Sequence, residues 1–593
     1  MRRGPAASVC AADPVAHLAP VAPLAATIAP PHDAVIAPHV GLRVPAEPMA
    51  QRRAGRSISG ERVALAFIAL WIPLQLLLTW PAPLTPAFDG PWRYDTSIFA
   101  YEGALVRAGA MPYVAFWDHK GPLIYLLNAG GLTISGGHLW GIWLIGLVAV
   151  GLAAALGYRA MREAFGAPAA LIGIVFFIVA LGGFESGANM TEEYALPLAW
   201  AAALVLVRWT RTTRATLSVG IALGAIGSLA FFLRGNLAGA SAAAVLTIAL
   251  VLVRERRHGA LARVALGTII GATIAGAPLV AWLAHGGAMR AFWDQAIQYN
   301  LAYTRADSTQ RLVSAIAGVW LATLTAPLLL PAAGFAACAR RLVRARAHER
   351  SQPLVMFALL WTGIELLLAS LSGRPYDHYF IMLLPPMALL TAALVGEILQ
   401  HAHTPAHLRR RVRSPATIAA LFALVMLPPF LGNLVLRART TGIVPPRASS
   451  QVVQTAGYVR AHSSSADRLL VWGLSGGVYF LAQRPAASKY LFAFPLLTRT
   501  YGDSVAADFL AELRRSPPAI IVDAAVSDQS APPLSRWDAT WHFPRLGWYA
   551  PYRTMSPALE PFYDFVARNY TAVAVVGPER WTVYRANARL VNR

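Results

Sequence analysis

The sequence predicts a polytopic α-helical membrane protein of about eleven spans with a small α/β domain at its C-terminal end. Three observations carry that expectation. Of 593 residues, 56% are apolar and 13% charged, where soluble domains average about 25% charged. The charges fall in short clusters between long apolar runs, and mean hydropathy is +0.49. Beyond residue 437 the apolar runs shrink to strand length. This composition excludes an ordinary soluble enzyme, and equally a disordered chain. A net charge of +22 invites a nucleic-acid reading. Cations that bracket apolar runs set membrane topology instead, so no nucleic-acid partner is expected. Cys10 and Cys338 are too few and too far apart for a disulfide framework or a cysteine metal site.

Residues 1–60 are rich in Ala, Pro and Val and read as a disordered tail. Pro5, Pro14, Pro20 and Pro23 interrupt the stretch where a signal peptide would be apolar, so no cleaved signal is expected. Arg52, Arg53, Arg56 and Arg62 crowd the first apolar run and place the tail in the cytoplasm.

A bilayer core of about 30 Å needs roughly 20 apolar residues in a helix. Eleven runs qualify, at 63–80, 138–158, 167–184, 195–208, 215–233, 236–253, 262–284, 313–338, 353–372, 379–398 and 415–436. With the tail inside, every inner connection is arginine-rich: Arg159 and Arg162, then Arg208, Arg211 and Arg214, then Arg254, Arg256, Arg257 and Arg263. The series continues with Arg340, Arg341, Arg344, Arg346 and Arg350, and ends with Arg409, Arg410, Arg411 and Arg413. Residues 61–437 thus form the transmembrane domain. An odd number of spans puts residues 450–593 outside the cell. There, strand-length runs at Leu469–Trp472, Ala519–Val522 and Ala572–Val576 alternate with helical stretches near 451–461, 503–515 and 559–568, the pattern of an α/β domain.

The first outer connection, 81–137, is unusually dense. Thr96–Arg107 carries Ile98, Phe99, Leu105 and Val106 at helical spacing, as an interfacial amphipathic helix does. Leu123–Leu132 is too short to span and reads as a second one. Between them stand Trp117, Asp118, His119, Lys120, Gly121 and Pro122. Ionisable groups beside hydrocarbon default to a functional hypothesis; the bland alternative is solvated charge with aromatic anchors. Other outer connections add Glu185, Asn189, Glu192 and Glu193, then Asp294, Tyr299, Asn300, Tyr303 and Arg305, and last Arg374, Asp377, His378 and Tyr379. Glu192 and Glu193 would also suit a simple helix start, where acids are favoured. Trp92, Tyr94, Tyr101, Tyr113 and Trp117 either anchor the connection in the interface or stack on a sugar. Transporters place polar groups near the midplane. Here they gather on one face, which suggests chemistry at the outer boundary on a lipid-borne substrate.

These motifs, RYDTSIF, WDHKGPLIY, NMTEEY and GRPYDHYFIMLLPP, resemble the GT-C superfamily of integral membrane glycosyltransferases. Within it they are similar to the bacterial branch of protein O-mannosyltransferases and lipid A aminoarabinose transferases. The resemblance covers 63–400 and, more weakly, VWGLSGGVYFLAQRPAASKY in the outer domain. It implies a transferase in the bacterial plasma membrane that uses a sugar on a polyprenyl-phosphate carrier, with an outward-opening site. The family's essential acid falls on Asp95, its lysine on Lys120, its second-loop acids on Glu192 or Glu193, and its late basic and histidine positions on Arg374 and His378. In this chain His119 precedes the lysine and Gly121 separates it from Pro122. The acid of that element is then either Asp118 or lost.

The chemistry asks for a base to take the acceptor's proton and for cations to hold the departing phosphate. Asp95 is the candidate base, with partial desolvation expected to raise its pKa. Lys120 and Arg374 are the candidate phosphate cations, and His378 a donor to the same group. Lysine occurs only at Lys120 and Lys489 in a chain that otherwise uses arginine, so a compact ammonium is either wanted at 120 or a chance of codons. Asp118, His119, Glu192, Glu193 and Tyr379 are candidates for positioning the substrate. Asp118 and Glu192 are alternatively placed for a divalent cation. The acceptor is a glycan, a lipid or a protein. Two other readings compete: a transporter or flippase of lipid-linked sugars, and a non-catalytic membrane assembly protein.

Overall fold

A computed structural model describes residues 60–79, 95–184, 189–212, 214, 216–304, 308–325, 329–344, 352–400, 451–497, 501–528, 531–535 and 557–588. The tail up to residue 59, Arg93, Glu185, Arg305 and the run at 415–436 lie outside the described residues. Helix α1 (Gly60–Thr79) leads to two helices of the first connection, α2 (Asp95–Arg107) and α3 (Leu123–Ile134). The bundle continues with α4 (Trp140–Phe165), α5 (Ala167–Phe184), α6 (Thr191–Thr212), α7 (Leu217–Leu233), α8 (Gly239–Arg254) and α9 (His258–His285). A short helix α10 (Met289–Phe292), a π-helical turn at Trp293–Gln298 and α11 (Tyr299–Tyr303) follow. Then come α12 (Ser308–Thr325), α13 (Leu329–Arg344), α14 (Gln352–Ser370), a 3-10 segment at Asp377–Leu383 and α15 (Leu384–Gln400).

The helices of 81–137 occur where the apolar spacing predicts them. The predicted run 313–338 falls on α12 and α13, with residues 326–328 outside the described residues. Among the described residues four helical stretches are long and apolar enough to cross a bilayer: Trp140–Phe165, His258–His285, Pro353–Ser370 and Asp377–Leu399. Leu246, Ile269, Ile274, Trp320 and Val343 are exposed on the bundle surface, as lipid-facing residues are. Helices α7 and α9 meet through Gly220, Gly224, Gly267 and Gly271, a four-residue spacing that brings two backbones into contact.

The two ends of the bundle differ. At the end marked by the C-terminus of α6, Glu163 pairs with Arg159, Arg208 and Arg211. At the other end, the N-terminus of α6 meets the first connection. Asn189 ties that end together. It donates to the Thr96 carbonyl of α2 at 3.1 Å, exchanges hydrogen bonds with Asn128 of α3, and accepts from Tyr194 of α6. Fully buried, it is not a glycosylation acceptor despite its sequon.

The C-terminal part begins with α16 (Gln451–Ala461) and holds a four-stranded sheet: β1 (Leu469–Trp472), β2 (Ile520–Asp523), β3 (Tyr570–Val576) and β4 (Trp581–Ala586). Strand order is β1-β2-β4-β3. β1 and β2 are parallel, and the other pairs antiparallel. Helices α17 (Gly476–Ala482), α18 (Phe494–Leu497), α19 (Tyr501–Arg515), α20 (Ala525–Asp528) and α21 (Glu560–Asn569) complete it. Three strands match the sequence expectation; β4 is additional.

This part packs directly on α2. Tyr101 stacks on Tyr479 at 5.2 Å. At Gly476 a side chain would lie 2.7 Å from the Ile98 Cα. The sheet therefore sits at the same end as the first connection. Replacing Gly476 by Ala should cost about 1–3 kcal/mol by forcing the two backbones apart. The check is thermal unfolding with tryptic release of the C-terminal part. Gly476→Ala should lower the midpoint and speed release, and Gly457→Ala, where nothing lies within 4 Å, should do neither.

Candidate active site

The site starts from a backbone constraint. Gly121 donates its N–H to the Leu233 carbonyl at the end of α7, at 3.0 Å. A Cβ at 121 would overlap the Phe232 carbonyl. The glycine that breaks the family spacing thus lets the motif lie against α7. The next residue of α7's cap, Arg234, is thereby carried to the motif. Tyr113 holds the motif from behind by donating to the Lys120 carbonyl at 2.7 Å.

Lys120 Nζ lies 3.1 Å from Asp95 Oδ2 and 3.7 Å from Asp118 Oδ1, and sits over the Phe99 ring at 5.2 Å. Its side chain is 5% exposed, and Asp118 fully buried. Asp118 Oδ1 also accepts the His119 N–H at 2.6 Å. Burial alone would lower the Lys120 pKa, but Asp118 and Asp95 raise it above its ordinary value. Burial pushes Asp95 up, yet Lys120, with His378 behind it, holds the carboxyl below the usual range. The expected upward shift of Asp95 is thus corrected: Lys120, His378 and His119 together outweigh desolvation. Asp118 is likewise low, Lys120 and His119 overcoming its burial. Burial, then Lys120, push the His119 pKa down to about 4.

A second ion pair adjoins the first. Arg234 Nη1 meets Glu192 Oε1 at 2.7 Å, both groups buried. Arg234 lies 4.4 Å above the Tyr379 ring, Tyr379 and Tyr303 hydroxyls are 3.0 Å apart, and Arg374 lies 3.4 Å above the Tyr303 ring. The late connection thus reaches the Arg234–Glu192 pair through Tyr379, and Tyr303 links Arg374 to the same tyrosine. His378 is 15% exposed on its side chain, 3.4 Å from Asp377, and packs edge-on against Tyr379 at 4.6 Å. Glu193 caps α6: its Oε2 accepts the Met190 N–H at 2.8 Å.

The helical segment after α9 braces the motif. Gln295 accepts the Asp118 N–H and donates to the Tyr113 carbonyl, while Asn300 donates to the His119 carbonyl at 2.7 Å. From the C-terminal part, Tyr501 accepts from Trp117 Nε1 at 2.9 Å and donates to Asp294 at 2.8 Å. Trp117 donates its N–H to the Lys489 carbonyl at 2.8 Å. Tyr101, Tyr113 and Trp117 are therefore buried joints between segments rather than interface anchors or sugar platforms. Their polar atoms find protein partners that no local pattern shows.

A divalent cation does not fit these residues. Among the described residues no three His, Cys, Asp or Glu side chains gather to hold one. Asp118 is already paired with Lys120, and Glu192 with Arg234. Polar residues of the spans are locally satisfied too. Gln75 bonds Trp71 and the Ile178 carbonyl, and Glu365 accepts from Trp361 at 3.0 Å.

Residues 66–435 match the family model described as "Putative competence-induced protein Ccs4 N-terminal domain". The chain belongs to this family. No curated protein sequence matches it. Two crystal structures share its fold: ArnT from Cupriavidus metallidurans in the apo state, with TM-score 0.54 and 16% identity, and the same protein bound to undecaprenyl phosphate, with TM-score 0.53 and 15% identity. Each comparison covers 89% of this chain and 99% of that one. This family member thus shares the fold of that protein.

Removing one partner of a buried ion pair strands the other, at roughly 3–5 kcal/mol. Arg234→Met should lower the unfolding midpoint in detergent, and adding Glu192→Gln should recover part of the loss; a double variant no better than the single one would refute the pairing. The His119 shift has a definite sign. Its folded pKa, about 4, lies below its ordinary 6.5, so its contribution is complete above pH 6.5 and is lost as pH falls toward 4. His119→Gln should lose less stability than wild type across that window.

Proposed function

We propose that the protein transfers a sugar from a polyprenyl-phosphate donor to a hydroxyl acceptor on the outer face of the bacterial plasma membrane. The observation that carries this reading is the Lys120–Asp95 pair at 3.1 Å, set beside Arg234 and Arg374 at the end of the bundle where the C-terminal part packs. A related fold, that of ArnT, holds undecaprenyl phosphate in a crystal structure.

In this reading the lipid phosphate enters against Lys120, with Arg374 and His378 supporting it and Arg234 adding positive potential. Lys120 turns part of its charge from Asp95 to the phosphate. The Asp95 carboxylate then loses the partner that holds its pKa low and becomes a better base. It takes the acceptor's proton as the oxygen attacks the anomeric carbon. The carbon–phosphate oxygen bond breaks, and the cations stabilise the charge growing on the leaving phosphate. One displacement inverts the anomeric centre. Asp118, His119, Glu192 and Tyr379 shape the pocket and position the sugar. The acceptor is a glycan, a lipid or a protein of the cell envelope.

The test is incubation of purified protein with a panel of radiolabelled polyprenyl-phosphate sugars, followed by analysis of the labelled acceptor. Asp95→Asn keeps the shape and removes the base, so transfer should fall about 10²–10⁴-fold. Transfer by Asp95→Asn at the wild-type rate would reject Asp95 as the base, and no transfer from any donor by wild type would reject the reading.

A further inference from the structure

Helix α2 presents more than Asp95 to the lysine motif. Seven residues is close to two helical turns, so Asp95 and Glu102 share a face, with Phe99 between them. Glu102 and Asp118 are both 0% exposed, and their side chains meet within hydrogen-bonding range. With both groups ionised, neither oxygen of Glu102 and not Oδ2 of Asp118 has a donor among the described residues. Two buried acceptors in contact without a donor are costly unless one of them carries a proton.

The surroundings decide which one. Asp118 has the His119 N–H at 2.6 Å and the Lys120 ammonium at 3.7 Å, both favouring its ionised form. Among the described residues Glu102 has no donor of its own. The titratable and charged groups around it are Asp95 on its own helix, Asp118, Lys120 and Tyr113 from the motif segment, and Tyr125 from α3. The opposite face of α2 meets Tyr479 of α17 through Tyr101. Burial and then the Asp118 charge hold the Glu102 carboxyl well above its ordinary range.

We propose that Glu102 and Asp118 share one proton, resident on Glu102, and that this carboxylic acid fixes the face Asp118 turns to Lys120. Glu102 donates to Asp118 Oδ2, leaving Oδ1 for the His119 N–H and the ammonium. It is a positioning residue and does not touch the substrate. A second buried anion beside Asp118 would compete for Lys120 and draw it from Asp95. Ionisation of Glu102 at high pH should therefore switch the site off. The effect on transfer rests on the transferase reading; the shared proton does not.

The experiment is infrared difference spectroscopy on the full-length purified protein in H2O and D2O, beside pH–rate profiles. Wild type at neutral pH should show a buried protonated-carboxyl band that Asp118→Asn shifts; Glu102→Gln should abolish this band and leave that of any other buried acid, Glu365 included. Glu102→Gln keeps a donor toward Asp118 and should transfer sugar within about threefold of wild type, without the alkaline limb. Glu102→Leu removes the donor and should lose about tenfold or more. Absence of the band in wild type, its survival in Glu102→Gln, or equal damage by Gln and Leu would overturn the proposal. If no donor sugar is used at all, the infrared result alone still decides the shared proton.

Discussion

The site depends on holding one ammonium where water is scarce. Lys120 is 5% exposed on its side chain, and a lone buried cation of that kind would lose its proton. Asp95 on one side and Asp118 on the other keep it charged. In return it keeps both carboxylates ionised against their own burial. Each group is tolerable only because the others are present. The cluster is therefore a single electrostatic unit rather than a set of independent residues.

Backbone contacts bring that unit together from distant segments. Gly121 lies against the end of α7 and so sets Arg234 beside the motif. Arg234 then closes on Glu192, 42 residues earlier in the chain, and on Tyr379 in the last connection. The C-terminal part acts on the same motif through Trp117 and Tyr501, 384 residues apart. Its role reaches beyond covering the site: it fixes the indole next to Asp118 by both the ring and the main chain.

Much of this was legible in the sequence, for physical reasons. Apolar runs of span length and arginine clusters report the bundle. An acid, an imidazole and an amine beside hydrocarbon report the site, because such groups persist there only with partners. Arg234 was harder to see. In sequence it interrupts two Gly- and Ala-rich runs, and its partner Glu192 is not local. Glu102 lies on the predicted amphipathic helix without standing out in the sequence, although its seven-residue spacing from Asp95 could have placed it on the same face. Strand β4 was missed because WTVYRA is short and interrupted by Arg585, so its alternation is weak.

The central claim is that the charged unit around Lys120 receives a lipid phosphate. It is tested most directly by equilibrium binding of undecaprenyl phosphate to purified protein, comparing wild type with Lys120→Met at low and high salt. Wild type should bind saturably, and binding should weaken sharply in the variant while both proteins stay folded. Equal affinity in the two, with the lipid chain alone accounting for retention, would contradict it.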